Sequence, residues 1–184
     1  MTEISLNILD VAENSTRAGA SLVSITVSAD TKADRLTVVI EDDGCGMTEE
    51  QLARVTDPFF TTRTTRKVGL GVPFFKEAAE LTGGSFAIQS EPGKGTMVTA
   101  VFVLSSIDRM PLGDISATIH NLVVYHPGTD FCYTYEYDGK SFTLDTRQFR
   151  EILGDIPFDA PEVSSYIMEY LTENKLETDG GASL

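Results

Sequence analysis

Residues 41–47 read Glu-Asp-Asp-Gly-Cys-Gly-Met, and the reading of this stretch decides the fold. It closes a segment, Arg35–Glu41, whose β-branched residues predict a strand. Leu36, Val38 and Ile40 share one parity along that strand, and Asp42 shares it too. Alternation therefore aims Asp42 at the same buried face as the aliphatic side chains and aims Asp43 away from it. A carboxylate at the end of a buried strand face is costly unless something donates hydrogen bonds to it. Gly44 and Gly46 follow at once, so the backbone can turn sharply and approach a ligand closely. Taken alone, the same residues are also those of an ordinary strand-ending turn.

Upstream, Thr2 is placed to cap a helix running to about Ala18, with Ile4, Ile8, Val11 and Ser15 as its apolar stripe. Asn7, Asp10, Asn14 and Arg17 fall on one arc of about 80° on that helix. Val23, Ile25 and Val27 alternate with polar residues as a half-buried strand. Downstream, Thr48 and Gln51 form a capping box for a short helix through Val55. A threonine-rich stretch without apolar period, Asp57–Gly71, reads as a loop. It ends in Val68-Gly69-Leu70-Gly71, just before a helix opened by Pro73 and closed at Gly83–Gly84. Backbone N–H groups at that helix start, beside Arg63, Arg66 and Lys67, would suit a phosphate. Strands at Ser85–Ser90 and Thr96–Leu104 flank a turn containing Gly93-Lys94-Gly95-Thr96.

Acidic residues outnumber basic ones 28 to 14, for a net charge of -14. Sequence-independent binding to nucleic acid or to an anionic membrane needs clustered Lys and Arg, so both are disfavoured as partners. The longest strongly apolar run, Val98–Leu104, is far short of the ~20 residues that span a bilayer. The first residues resemble neither a basic leader nor a signal region. Cys45 and Cys132 are too few for a disulfide framework or a four-ligand zinc site, and buried inert thiols are expected. A cytoplasmic location follows as the expectation.

The apolar pattern breaks around Ser105–Gly113. A helix is expected near Asp114–Val124, then a strand carrying Phe131, Tyr133, Tyr135 and Tyr137. Asp138-Gly139 signals a tight hairpin with return strand Ser141–Leu144. Asp145 can cap a helix over Thr146–Leu153. A last helix should begin near Pro161 and bury Val163, Ile167, Tyr170 and Leu171, leaving Glu177–Leu184 as a flexible tail. The expected organisation is a domain over 1–106, a small α+β extension over 107–176 and a tail over 177–184.

In order and spacing these stretches resemble the boxes of the GHKL superfamily, which includes histidine kinase catalytic domains, MutL-type repair ATPases, Hsp90 and gyrase B. Residues 8–20, ILDVAENSTRAGA, are similar to the asparagine box. EDDGCGM resembles the Asp-x-Gly-x-Gly box, and DPFFTTR at 57–63 the phenylalanine box. KVGLG at 67–71 resembles the second glycine box, and GKGT at 93–96 the last. The resemblance covers about residues 1–104. It implies an α+β fold, a two-layer α/β sandwich of the Bergerat type, that binds ATP with magnesium. It makes Asn14 the magnesium ligand, Arg17 a phosphate contact and Asp42 the acceptor for the adenine amine. Gly44 and Gly46 would flank the base. Gly69 and Gly71, with Arg66 and Lys67, would meet the phosphates. Thr96 would lie near the adenine, and Met47, Phe60, Val68 and Leu70 would line the cavity.

Departures from the family's pattern narrow the function. Hydrolysing relatives of the MutL and Hsp90 type carry a glutamate where this chain has Asp10, one methylene shorter, so Asp10 becomes the candidate base. Glu13 adjoins Asn14 but points about 100° away from it. The strand that commonly precedes the asparagine box is not seen, and the C-terminal segment is expected to take its place. His120 and His126 lie beyond the boxes, and His120 reads as a structural residue, which disfavours self-phosphorylation. The resemblance then leaves a slow ATPase or kinase-like module acting on a separate protein, a serine kinase of the anti-sigma-factor kind, or a nucleotide-sensing adaptor. A homodimer stays open.

Overall fold

A computed structural model describes residues 2–57 and 71–184. Its centre is a mixed sheet in the order β3-β4-β2-β1-β5-β6. The strands are β1 (Leu22–Asp30), β2 (Arg35–Asp42), β3 (Ser85–Glu91), β4 (Gly95–Val103), β5 (Asp130–Tyr137) and β6 (Lys140–Asp145). All neighbours are antiparallel except β1 and β5, which run parallel. Each central strand alternates as the sequence predicts. Val23, Ile25 and Val27 of β1, Leu36, Val38 and Ile40 of β2, and Phe131, Tyr133 and Tyr135 of β5 are all buried on one face.

That face is covered by a single layer of helices. Helices α3 (Gly71–Leu81), α1 (Ile4–Arg17), α4 (Ile115–Tyr125) and α6 (Pro161–Asp179) pack side by side in that order. Two shorter helices, α2 (Glu49–Val55) and α5 (Thr146–Leu153), lie against β3 and β5. The result is the two-layer α+β sandwich expected. Phe75, on α3, packs its ring against Phe102 of β4 at 5.8 Å. Burying one such ring is worth about 1.5–3 kcal/mol.

Local signals mostly hold. Thr48 Oγ1 accepts from Gln51 N–H at 3.2 Å while Gln51 Oε1 accepts from Thr48 N–H at 2.9 Å, completing the capping box. Asp114 and Asp145 cap α4 and α5. Asp138 (φ 46°) and Gly139 (φ 85°) make the tight hairpin turn. Helix α3 starts at Gly71, so Pro73 falls inside its first turn, where no backbone donor is needed.

The structure corrects the sequence reading at both ends. Thr2 is not the cap of α1. The helix starts at Ile4 after Glu3, which makes no side-chain cap. Its first donors go instead to the Pro111 and Leu112 carbonyls, each at 2.9 Å. Nor is Glu177–Leu184 a frayed tail. Helix α6 runs to Asp179 and ends at Gly180 in the left-handed conformation, and the Leu184 carbonyl accepts from Leu112 N–H at 2.8 Å. Asp179 is drawn inward by partners, accepting from Tyr135 Oη at 2.8 Å, Lys175 Nζ at 2.7 Å and Gly181 N–H at 2.8 Å. Burial alone would raise its carboxyl, yet these bonds together hold it below the ordinary carboxylate value. The C-terminal segment supplies two strands to the common sheet, with β5 seated beside β1.

Candidate functional site

Between α1, α2 and the β2–β4–β3 part of the sheet lies a cavity of 430 Å³. That volume is within the roughly 300–1,000 Å³ of small-molecule sites. Its walls are mainly aliphatic, from Val11, Ile40, Val55, Val72, Ile88, Val98 and Met47. The polar groups are few and gathered: Asn14, Ser15, Arg17, Asp42, Gln51 and Thr96.

Asp42 sits where strand parity predicts, 9% exposed at the end of β2 and opposite Thr96 of β4. Its carboxylate is held from two directions. Oδ1 accepts from Gly44 N–H at 2.9 Å, and Oδ2 accepts from Ser15 Oγ at 2.5 Å. These bonds compensate the burial and fix the carboxylate plane. Asp43 turns outward and accepts from the N–H groups of Ser21 and Leu22 at 2.7 and 2.9 Å, tying the turn to the start of β1. The Ser21 hydroxyl donates to it as well, and that bond first, with the N–H groups, holds its carboxyl below the ordinary value.

The glycine-rich turn is pinned on both sides. Cys45 N–H donates to the Ala18 carbonyl at 3.0 Å, and the Cys45 carbonyl accepts from Gly93 N–H at 2.8 Å. Gly46 has φ 66°, and a Cβ there would run into the Glu91 carbonyl. Met47 N–H donates to Ser90 Oγ at 2.8 Å, which lies 2.8 Å from Thr96 Oγ1. The turn after β2 and the turn before β4 thus form one wall. Cys45 is exposed at the mouth, which corrects the expectation of a buried thiol: its backbone is clamped in the turn, and its Sγ reaches only the Gly46 carbonyl next to it, at 3.6 Å.

Asn14, Arg17, Asp42, Gly46, Met47 and Thr96 therefore meet in one cavity, with Gly44 just behind Asp42. Asp10 and Gly71 do not line it. They pack on each other instead, with a Cβ on Gly71 falling 2.8 Å from Asp10 Cβ, so only glycine lets α3 start this close to α1. Burial, and then the Glu13 carboxylate nearby, push the Asp10 carboxyl above its ordinary value against the opposing pull of Arg17. Arg17 pairs with Glu13 at 3.5 Å on an exposed face. Phe60, Arg66, Lys67, Val68, Gly69 and Leu70 lie outside the described residues, as does most of the loop expected over Asp57–Gly71. Among the described residues no group of His, Cys, Asp and Glu is arranged to hold a metal. A magnesium ion would rely on the Asn14 amide oxygen, ligand phosphates and water, which suits its preference for few protein oxygens.

Ser15 is the residue that sequence reasoning missed. It falls in the apolar stripe of α1, and a hydroxyl on such a stripe is itself a signal that a polar partner waits in the core. Outside this cavity, His120 Nε2 lies 2.9 Å from Ser164 Oγ, joining α4 to α6 as a structural residue would.

This fold and cavity define a class. Residues 1–106 match the family described as histidine kinase-, DNA gyrase B- and HSP90-like ATPase, and the chain belongs to it. The sensor protein kinase FleS of Pseudomonas aeruginosa is 36% identical over 108 residues, 59% of this chain and 26% of that protein. Sporulation kinase E of Bacillus subtilis is 33% identical over 97 residues, 53% of this chain and 13% of that protein. The matches thus span a small part of the relatives' own length. A crystal structure of the N-terminal domain of a DNA repair protein superposes with a TM-score of 0.58 over 79% of this chain and 53% of that one, at 14% identity, which speaks to the fold. Among the described residues no helix is long and apolar enough to cross a membrane.

Proposed function

We propose that the chain is an ATP-binding, kinase-like regulatory module with slow turnover, acting on a separate protein. The observation that carries this reading is the Asp42 carboxylate, buried at the floor of the cavity and oriented by Ser15 and the Gly44 N–H. A carboxylate held this way accepts a hydrogen bond from an amine but offers none, which selects the amino edge of adenine. The aliphatic walls suit the base. Asn14 and Arg17 suit the magnesium-bearing phosphates, with Thr96 beside the base. ATP and magnesium fit the residues present.

Asp10 would be the general base. It is ionisable and shifted upward, which brings its pKa nearer to working pH. Its seat against Gly71, away from the cavity lining, favours a relay through a further water and hence a slow rate. The same displacement favours a second reading, a nucleotide-sensing adaptor. Phosphate release by the purified chain with ATP and magnesium tests the two. Slow release abolished by Asp10→Asn, with ATP affinity retained, supports the enzyme. No release even with the native partner gives the sensor. Unchanged release by Asp10→Asn removes Asp10 as the base and brings Glu13 forward.

A further inference from the structure

Beyond residue 106, outside the family match, the chain carries a surface unlike the nucleotide cavity. A trough of 280 Å³ runs between α5 and α6, lined by Phe149, Ile152, Leu153, Glu162, Val163 and Tyr166. Its aromatic floor is fixed: the Phe149 ring lies 6.2 Å from Tyr166 and 5.7 Å from Tyr170. Its upper walls are open. Ile152 is 82% exposed, Tyr166 59%, and Ile156, just past the end of α5, 52%. Single exposed apolar residues need no explanation, but here Ile152 and Tyr166 line one concavity. The trough is smaller than the about 300 Å³ at which small-molecule sites begin, and among the described residues its only charged lining group is Glu162. It has the shape for a row of side chains.

The charge around it is one-sided. Glu151, Asp155 and Asp159 follow the α5 side and the loop into α6. Glu162, Glu169 and Glu173 share one stripe of α6 with Tyr166, at helical spacing. All six are exposed, and none makes an ion pair among the described residues. Three cations of this region are already engaged: Arg147 with Asp145, Arg150 with Asp130 and Lys175 with Asp179, each at 2.7 Å. The net result is an apolar trough inside an uncompensated acidic rim.

We infer that this trough docks a basic amphipathic helix of a partner protein, whose apolar residues at i, i+3, i+4 and i+7 enter between α5 and α6 while flanking Lys or Arg meet the rim. A second copy of this chain would bring the same acidic rim against itself, and an anionic membrane would be repelled likewise. The helices that form the trough pack against β5 and β6, whereas the nucleotide cavity lies over β2 and β4. The inference therefore stands apart from the nucleotide reading.

The test is fluorescence anisotropy of the full chain with a labelled 18-residue peptide that has leucines on one helical face and lysines elsewhere. Two controls replace every lysine by glutamate or scramble the leucine positions. Binding is expected for the basic amphipathic peptide alone and should weaken with salt. Ile152→Ser combined with Tyr166→Ser keeps the charge and alters exposed positions, and should cost at least about tenfold in affinity. Leu81→Ser, another exposed apolar site, should cost nothing. Asp42→Asn should also leave peptide binding unchanged, so a failure of the nucleotide reading shows separately. Absence of binding, equal binding of the scrambled peptide, or indifference to the Ile152 and Tyr166 changes would overturn the inference. So would a sedimenting dimer of the chain that Ile152→Ser dissociates, since the trough would then belong to a second copy.

Discussion

Replacing Asp42 by Asn tests the site with almost no change in shape. The parent carboxylate accepts from Gly44 N–H at 2.9 Å and from Ser15 Oγ at 2.5 Å. An amide keeps one acceptor, and the Gly44 N–H, a backbone donor that cannot turn away, will claim it. The new NH2 group then faces Ser15, whose hydroxyl can become the acceptor and turn its own proton toward the Val11 carbonyl, 3.5 Å away. A charge-assisted bond of about 1.5–3 kcal/mol becomes a neutral one of about 0.5–1.5, so stability should fall by about 1 kcal/mol. For a chain of this size that is about 2–4 °C in melting temperature. The effect on ligand is larger and has a sign. Adenine presents an amine where hypoxanthine presents a carbonyl. The parent should bind ATP more tightly than ITP, because a carboxylate repels a carbonyl. In the variant the NH2 opposes the adenine amine and can donate to the carbonyl. ATP affinity should drop about 10- to 150-fold, the equivalent of about 1.5–3 kcal/mol, while ITP affinity holds or rises. Titration calorimetry of both nucleotides against both proteins reads the four constants directly. Equal loss of ATP and ITP would show that Asp42 only supports the fold, and the adenine assignment would fail.

Other predictions rest on different groups. Asn14→Ala should weaken ATP binding more with magnesium than without it, by calorimetry in each condition, and equal losses would argue against metal ligation. Asp10→Asn should be more stable than the parent at neutral pH. The carboxyl is shifted upward in the folded state, so the folded chain binds the proton more tightly, and stability is lost as pH rises from the ordinary carboxylate value through the raised one. The two proteins should converge in acid-titrated melting curves once both forms of Asp10 are protonated. Asp179→Asn should have the opposite pH signature. Its carboxyl is held low by Lys175, Tyr135 and Gly181, so its stabilisation is present above the ordinary value and fades as pH falls through the depressed one. A loss of about 1–3 kcal/mol at neutral pH, shrinking in acid, is expected from denaturant unfolding.

What the sequence reveals about the fold divides by the range of the interaction. The strands of the first half are legible because one face is buried and the other is not, and a period of two survives any tertiary detail. The capping box of α2 is legible because both partners lie within three residues. The start of α1 is not, because its donors are satisfied by Pro111 and Leu112, more than a hundred residues away. The end of α6 fails for the same reason. Glu177-Thr178-Asp179 is polar and looks solvated, yet Thr178 and Asp179 are buried, and Asp179 answers Tyr135 on the neighbouring sheet. A polar residue can be read as core only when its partner is known.

The site shows how such a partner can be found. Asp42 stands out on the buried parity of β2, which raises the question of what donates to it. Ser15 stands out equally, as a hydroxyl at the end of the stripe Ile4, Ile8 and Val11, all buried. Each is an anomaly in its own element, and each is the other's answer, at 2.5 Å. Pairing the anomalies predicts that the last turn of α1 crosses the end of β2, and that crossing creates the floor of the cavity. Asp10 is an anomaly of another kind. It lies on the polar arc with Asn14, so the helix wheel places both at one site, but the wheel ignores what covers each turn. Gly71 brings the start of α3 down onto Asp10 while Asn14, one turn on, stays in the cavity wall. The two residues of one arc thus meet different neighbours, the metal candidate the cavity and the base candidate the start of α3, and slow turnover is the outcome to expect if Asp10 acts through a further water.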